Sequence, residues 1–172
     1  MQNIVQAKDQ VNMGVGSAPS SEIKMRGWVH YLHKDKDGNI LGEETLENTI
    51  TNTGKAALAG LAGNTGSVNP FTYLALGDDN TAAAASQTAL INEITGSGSD
   101  RAAATVSRVT TSQTNDTLQL AKTFTFTWSK TVREVGIFNA ASVGVMLCRQ
   151  VPTEKAMANG DTLTITYKVQ FS

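Results

Sequence analysis

The segment that most restricts the fold lies at the end of the chain and reads DTLTITYKVQF. From Thr162 onward its polar and apolar residues alternate without exception. Successive side chains of a β-strand point to opposite faces, so a period of two predicts a strand with one face in a core. The other face is predicted to contact water or a partner. The residues on the apolar side are Leu163, Ile165, Tyr167, Val169 and Phe171.

The rest of the chain favours the same kind of structure. It contains 22 threonines and 15 glycines among 172 residues, and only 17% of its residues are charged. Threonine is stiff in a helix and fits a pleated sheet, so this composition indicates strands. About eight strand-like runs joined by short turns predict a mainly β chain, namely an antiparallel β-sandwich of the jelly-roll or immunoglobulin-like kind. One or two short helices and an extended N-terminal arm complete the predicted fold.

Several local patterns place these elements. DKDGN between two alternating runs predicts a hairpin turn, because Gly38 tolerates a positive φ. TNTGKAALAGLAG predicts a short helix capped by Thr53 and ended by the glycines from Gly63. TAAAASQTALINEI predicts a loop with one or two helical turns, and RAAATVSRVTT predicts one strand. A further strand is predicted in TLQLAKTFTFTW, where one parity carries Leu118, Leu120, Phe124, Phe126 and Trp128.

The domain organisation is predicted from a change in composition near residue 22. Residues 1–22 mix polar residues and glycine with isolated apolar residues and show no period, so they predict an extended arm, while residues 23–172 predict a single β-sandwich domain. The arm is either a flexible terminus or a segment that becomes ordered along a neighbouring subunit. In the second case the predicted contacts with the neighbouring subunit are Ile4, Val5, Val11 and Met13.

Charge and cysteine content exclude several classes of protein. With 14 Lys and Arg against 15 Asp and Glu, the net charge is −1, so neither nucleic acid nor an anionic membrane is an expected partner. A single cysteine rules out an internal disulfide framework and a multi-cysteine metal site. No apolar run reaches the roughly 18 residues that span a bilayer, and no signal peptide is evident. The sequence therefore predicts a soluble protein without cofactors, made in the cytoplasm.

Four patterns could carry chemistry, and each has a simpler explanation. Cys148 could be a nucleophile, but its neighbours VML predict burial. DKDGN has the first ligands of a calcium loop, yet Ile40 and Leu46 occupy positions that need Gly and Glu. His30 and His33 fall on opposite faces of a strand, and the adjacent carboxylates of GDDN fit a solvated turn. The sequence predicts that this chain is not an enzyme.

Four segments and the strand at the chain end follow one another in a characteristic order: NTITNTGKAALAGLAG, FTYLALGDDNTAAAASQTALINEI, RAAATVSRVT, REVGIFNAASVGVMLCRQV and NGDTLTITYKVQF. This order resembles a module of tailed-bacteriophage virion structural proteins, which includes the collar-like N-terminal domain of some tail fibres. The resemblance covers residues 48–172, and the hairpin before it is similar to the opening of such proteins. Its most specific parts are YLALG (73–77), TALINE (88–93), Arg101 and REVGIF (133–138). The resemblance implies a non-enzymatic component of the virion with no catalytic residues.

Within that group, the resemblance leaves alternatives open. Fibre-type members continue into a long shaft, whereas this chain stops at Ser172, so a capsid decoration or cement protein is the leading prediction. Such a protein is expected to be a homo-oligomer, often a trimer, bound to the major capsid protein or to other virion proteins. A tail, collar or baseplate component is the alternative. A carbohydrate- or receptor-binding module is a third, because Trp28, Tyr31, Tyr73 and Trp128 could stack on sugars.

Overall fold

The computed structural model describes residues 23–172, which form two antiparallel five-stranded sheets packed face to face. The first sheet has the strand order β2-β1-β12-β7-β6, the second has β3-β10-β9-β4-β5, and β11 and β8 form a short separate pair. The predicted antiparallel β-sandwich with a short helix is confirmed. In chain order the elements are β1 (Met25–Lys34), β2 (Ile40–Glu47), β3 (Thr49–Ile50), α1 (Asn52–Ala62), β4 (Tyr73–Gly77), β5 (Ala102–Ala103), β6 (Thr105–Val109), β7 (Thr117–Thr125), β8 (Lys130–Val132), β9 (Glu134–Phe138), β10 (Met146–Gln150), β11 (Lys155–Met157) and β12 (Thr162–Phe171).

The alternating segment at the chain end lies at the centre of the first sheet. As β12 it pairs with β1 on one side and with β7 on the other. Its apolar residues from Leu163 to Val169 are fully buried, as predicted, and Phe171 is partly exposed. They share the core with residues of the second sheet such as Leu76 and Ile137, because the inner faces of both sheets interdigitate.

The DKDGN turn between β1 and β2 is confirmed. The Asp35 carboxylate accepts hydrogen bonds from the backbone N–H groups of Asp37 and Asn39, both at 2.9 Å. Gly38 has a φ of 87°, which an L-residue adopts at a cost. Local turn chemistry therefore sets the hairpin.

Helix α1 begins two residues earlier than the sequence predicts. Thr51, and not Thr53, is the N-cap: its Oγ1 accepts a hydrogen bond from the Gly54 N–H at 2.9 Å and donates to the Met146 carbonyl at 2.6 Å. This second bond ties the cap to β10, which a local pattern does not reveal. The predicted end is confirmed, since Gly63 is the C-cap.

The long connection from β4 to β5, residues 78–101, is a loop as predicted; it contains a hydrogen-bonded turn, in which the Gln87 N–H donates to the Ala84 carbonyl at 3.1 Å, but this turn does not continue into a helix. The chain instead pairs briefly with the end of β4 through a bridge between Gly77 and Glu93. It then continues over the second sheet. The backbone N–H groups of Ile91 and Asn92, which a helix would use internally, are bonded to the side chain of Glu134 in that sheet.

Two strand predictions also need correction. RAAATVSRVTT is not one strand, because Ala104 separates β5 in the second sheet from β6 in the first. The Ala104 N–H donates to the Thr72 carbonyl at the crossing point. Trp128 does not share the core with Phe124 and Phe126: β7 ends at Thr125, Phe126 is still buried, and Trp128 is 71% exposed.

The REVGIF hairpin forms as predicted, with β9 and β10 joined through residues 139–145. The register shifts between Met146 and Cys148, however, so the two residues do not share a face. Met146 packs with Phe138 in a small cluster, while Cys148 belongs to the main core. A bulge adds one residue to a strand and reverses the parity of the residues after it.

No helix within residues 23–172 has the length and apolar character needed to cross a membrane.

Candidate functional site

An ion pair lies buried on the outer face of the second sheet, between β9 and β10. Arg149 donates a hydrogen bond from Nε to Oε2 of Glu134 at 2.7 Å, and both side chains have no exposed surface. Arg149 is opposite Gly136 in the strand register, which makes Glu134 its diagonal neighbour. A buried charge of this kind is stable only when it is paired and hydrogen-bonded.

The same ion pair holds the β4–β5 connection against the sheet. The Glu134 carboxylate accepts hydrogen bonds from the backbone N–H groups of Asn92 at 2.7 Å and Ile91 at 3.1 Å. Arg149 donates from Nη1 to the Thr81 carbonyl at 2.8 Å, and to Oε1 of Gln87 at 3.1 Å. Two side chains of the sheet thus fix a loop that has little regular hydrogen bonding of its own.

A second arginine joins this loop to the β9–β10 turn. Arg101 donates to both carboxylate oxygens of Glu93, at 2.9 and 2.5 Å, and its guanidinium lies 3.7 Å from the centroid of the Phe138 ring. Its Nη1 donates to the carbonyls of Ala140 and Val143. The planar guanidinium suits this combination of bidentate pairing and stacking, which a lysine could not reproduce.

Glycines leave the space that these contacts occupy. A Cβ on Gly77 would lie 2.3 Å from Oε1 of Glu134, and one on Gly136 would lie 3.1 Å from Cδ2 of Leu90. Leu90 packs with Phe138 in the smaller apolar cluster. We call the set Leu90, Glu93, Arg101, Glu134 and Arg149 the loop clamp. All of its residues except Arg149 lie in three of the four most specific parts of the resemblance, and Gly77, at the end of the fourth, leaves room for Glu134.

A third, more exposed arginine lies near the end of β4. Arg133 bonds to Asp78 and donates from Nε to Oε2 of Glu154 at 2.9 Å. Its pKa is raised by the hydrogen bonds to Glu154 and then to Asp78. The pKa of Asp79 is lowered, first by the hydrogen bonds from Thr81 and then by the charge of Arg149. The GDDN turn is therefore partly solvated and pairs with arginines.

The clamp is a structural device. Glu134 and Arg149 have no exposed surface, and each of the two carboxylates of the clamp accepts hydrogen bonds from several donors. A general acid or base must come within hydrogen-bond reach of a substrate, which a fully buried and fully occupied carboxylate does not. The arrangement stabilises the loop on the sheet.

Cys148 is placed for packing, as the sequence predicts. It is fully buried in the main core. Burial raises the pKa of its thiol, and the hydrogen bond with Tyr167 offsets this only in part. A nucleophilic cysteine needs an accessible thiolate, so this thiol lacks the environment of one.

The other residues considered as metal ligands do not lie together at one site. His30 lies 2.8 Å from Glu43 on one face of β1, while His33 lies 3.0 Å from Asp161 on the other, as predicted for a strand. Asp35 serves its own turn. Within the part of the chain that the structure describes, no three His, Cys, Asp or Glu side chains meet where a metal ion could bind.

The aromatic residues considered for sugar stacking are dispersed. Tyr31 is fully buried, Trp128 is exposed beyond β7, and Trp28 and Tyr73 are partly exposed on different sheets.

The four predicted contact residues of the arm lie outside the described residues; they are Ile4, Val5, Val11 and Met13.

The pair of Glu134 and Arg149 is the element that the sequence analysis missed. A signal for it exists, because Glu134 directly precedes the apolar run VGIF, Arg149 directly follows the apolar run VMLC, and the two runs form one hairpin. Charged residues are almost never fully buried unless they are paired. Two such residues in adjacent buried strands therefore indicate an internal ion pair.

Comparison with protein families gives one match. A family model described as Podophage GP4 fiber I protein gp80 matches residues 38–169, which is more than half of the chain and includes the whole loop clamp. No curated protein and no solved structure matches the chain.

Proposed function

Because this chain belongs to the podophage GP4 fiber I protein gp80 family, we propose that it is a structural component of a phage tail fibre. Membership makes it a virion-related structural protein of a tailed phage. It supports the tail or fibre location, which was the alternative prediction from the sequence, and gives no support to a capsid decoration or cement protein. The family match over residues 38–169 is the observation that carries the proposal.

Two features of the structure support a mechanical role. The loop clamp uses the charges of Glu134 and Arg149 to fix a loop, and places neither charge where a substrate could reach it. Cys148, the sole cysteine, is buried in the core. Buried ion pairs that hydrogen-bond backbone groups favour one packing arrangement over others, which suits a part that must keep its shape in a particle.

Residues 23–172 are proposed to be the folding unit, and residues 1–22 an arm that contacts another virion protein. The proposed contacts of the arm are Ile4, Val5, Val11 and Met13. Its partner would be a second copy of the chain, in a trimer or another homo-oligomer, or a different virion protein. Apolar residues in a polar segment bury little surface alone and gain more when they are laid along a partner.

Immunogold labelling of intact virions tests the location. Gold particles at the tail fibres, with an antibody raised against the purified chain, are the expected result. Labelling distributed over the capsid shell would contradict the fibre proposal and favour the decoration protein. Virions from a phage lacking the gene, grown with and without the protein supplied from a plasmid, give the matched control for antibody specificity.

A further inference from the structure

The two outer faces of the sandwich differ in how they are covered. On the second sheet, Glu134, Phe138 and Arg149 are at most 1% exposed, because the β4–β5 connection lies over them. On the first sheet, outward residues at its centre, such as Thr166 and Ala121, keep part of their surface accessible, and Thr123 is exposed. We call this outer face of the first sheet the open face.

The open face has few charges over most of its width. Its central row follows the strand register from Thr45 through His30, Thr166 and Ala121 to Thr105. Among the outward positions of the three described strands β12, β7 and β6, Lys168 alone carries a charge. Depletion of charge at the centre of a surface patch distinguishes protein interfaces from ordinary surface.

Some polar groups of the open face bond to one another. The hydroxyls of Thr123 and Thr164 share a hydrogen bond of 2.8 Å, which joins β7 to β12. At the β2 margin, Arg26 pairs with Glu47 at 2.6 Å. Covering a polar group that already has a partner costs less than covering one bonded only to water. The face is thus suited to being covered, with its charged pairs at the rim.

The open face also has surface hollows that side chains of a partner could fill. Two hollows flank Thr166. One, of about 300 Å³, is lined by Trp28 and His30, and the other, of about 450 Å³, is lined by Ala121 and Thr105. Interfaces pack as densely as protein interiors, so hollows on each side of a central residue favour a contoured protein partner.

We propose that the open face is the surface through which copies of this chain associate. The five strands have five to ten residues each and lie about 4.8 Å apart, which gives a face of roughly 650 Å². Stable protein interfaces bury about 600–1,000 Å² on each partner, so the open face lies within the range that a second copy needs. The proposal concerns the isolated chain and does not depend on its location in the virion.

Sedimentation velocity of the purified full-length chain, over roughly 1 to 100 µM, measures this association. The expected species is an oligomer of the 18.2 kDa chain. Thr166→Arg places an unpaired charge at the centre of the open face and is expected to weaken association roughly 100-fold or more. Thr88→Arg is the matched control, because Thr88 is an exposed threonine on the opposite, covered side; it should associate like the parent chain.

Other results would overturn the proposal. A parent chain that stays monomeric at the top of this concentration range would do so, as would a folded Thr166→Arg variant that associates normally. Ala121→Arg is a second variant on the face, in case the first does not fold by circular dichroism. Full association in both face variants, together with its loss in a full-length Val5→Asp/Val11→Asp variant, would assign the contact to the arm instead.

Discussion

Arg149 and Glu134 meet inside the protein, with Arg149 Nε 2.7 Å from Glu134 Oε2, and neither side chain is exposed to solvent. Arg149 Nη1 and the Glu134 carboxylate also bond to the backbone of the β4–β5 connection at Thr81, Ile91 and Asn92. The pair therefore links the sheet to the loop that covers it.

Glu134→Gln removes the buried partner of Arg149 and leaves only the partly exposed Asp79 carboxylate, 3.9 Å from Nη2, as a counter-charge. The expected cost is about 3–5 kcal/mol in the free energy of unfolding, measured by chemical denaturation. Glu47→Gln is the matched control, since Glu47 pairs with Arg26 at the surface and should cost under about 1 kcal/mol. Equal losses for the two variants would show that the buried pair contributes no more than a surface pair.

Gly77→Ala introduces a methyl group where the Glu134 carboxylate lies, 2.3 Å from Oε1. We expect a loss of roughly 1–3 kcal/mol in thermal or chemical unfolding, because the carboxylate must move and give up its bonds to the loop. The control is Gly42→Ala in β2, where an added Cβ has nothing within 4 Å. If Gly77→Ala unfolded at the same denaturant concentration as this control, the proposed steric conflict would be absent.

Alanine substitutions at Gly98 and Gly96 distinguish the cost of a steric clash from the cost of a strained backbone within one loop. Both have a positive φ, of 84° and 73°, but a Cβ on Gly98 would lie 1.8 Å from the Thr125 carbonyl oxygen, while one on Gly96 meets nothing within 4 Å. Gly96→Ala should cost about 1–2 kcal/mol from the backbone alone. Gly98→Ala should cost clearly more, measured by the shift in melting temperature, and equal shifts would contradict this.

Asp116 is expected to make stability depend on acid pH. The backbone N–H of Gln113, followed by those of Ser112 and Thr111, lowers the pKa of this carboxyl group. A pKa that is lower in the folded state adds stability above the unfolded value of about 4, and that stability is lost as the pH falls towards the folded value. Asp116→Asn should reduce the slope of unfolding free energy against pH below about pH 4; an unchanged slope would refute the assignment.

Cys148 should be unreactive in the native protein. Burial raises the pKa of the thiol, so little thiolate is present and none is accessible. Labelling with a chromogenic disulfide reagent at neutral pH should proceed only as fast as the protein opens, and should be complete at once in guanidinium chloride. Rapid labelling without denaturant would mean that β10 is accessible, and would contradict the assignment of Cys148 as an unreactive packing residue.

Local patterns were enough to predict much of the fold. The alternation in β12, the DKDGN turn and the REVGIF hairpin were all recognised from the sequence. Side-chain parity and turn preference depend on residues that are neighbours in the chain, so they can be read without knowing the partners. The burial of Cys148 was predicted from its apolar neighbours in the same way.

The errors arose where a distant contact overrides a local preference. The helix starts at Asn52 because Thr51 is also bonded to β10. The segment that includes Ile91 and Asn92 does not join a helix, since the N–H groups of these two residues are bonded to Glu134. Propensity is a weak prior that tertiary contacts routinely override.

The sequence by itself determined the β class, the main strands and the lack of a strong charge. Only the tertiary structure decided that Glu134 faces Arg149, that residues 78–101 cover one sheet, and that the opposite face stays open. These features depend on strand register and on which sheet each strand joins, so they come from pairings between residues far apart in the chain.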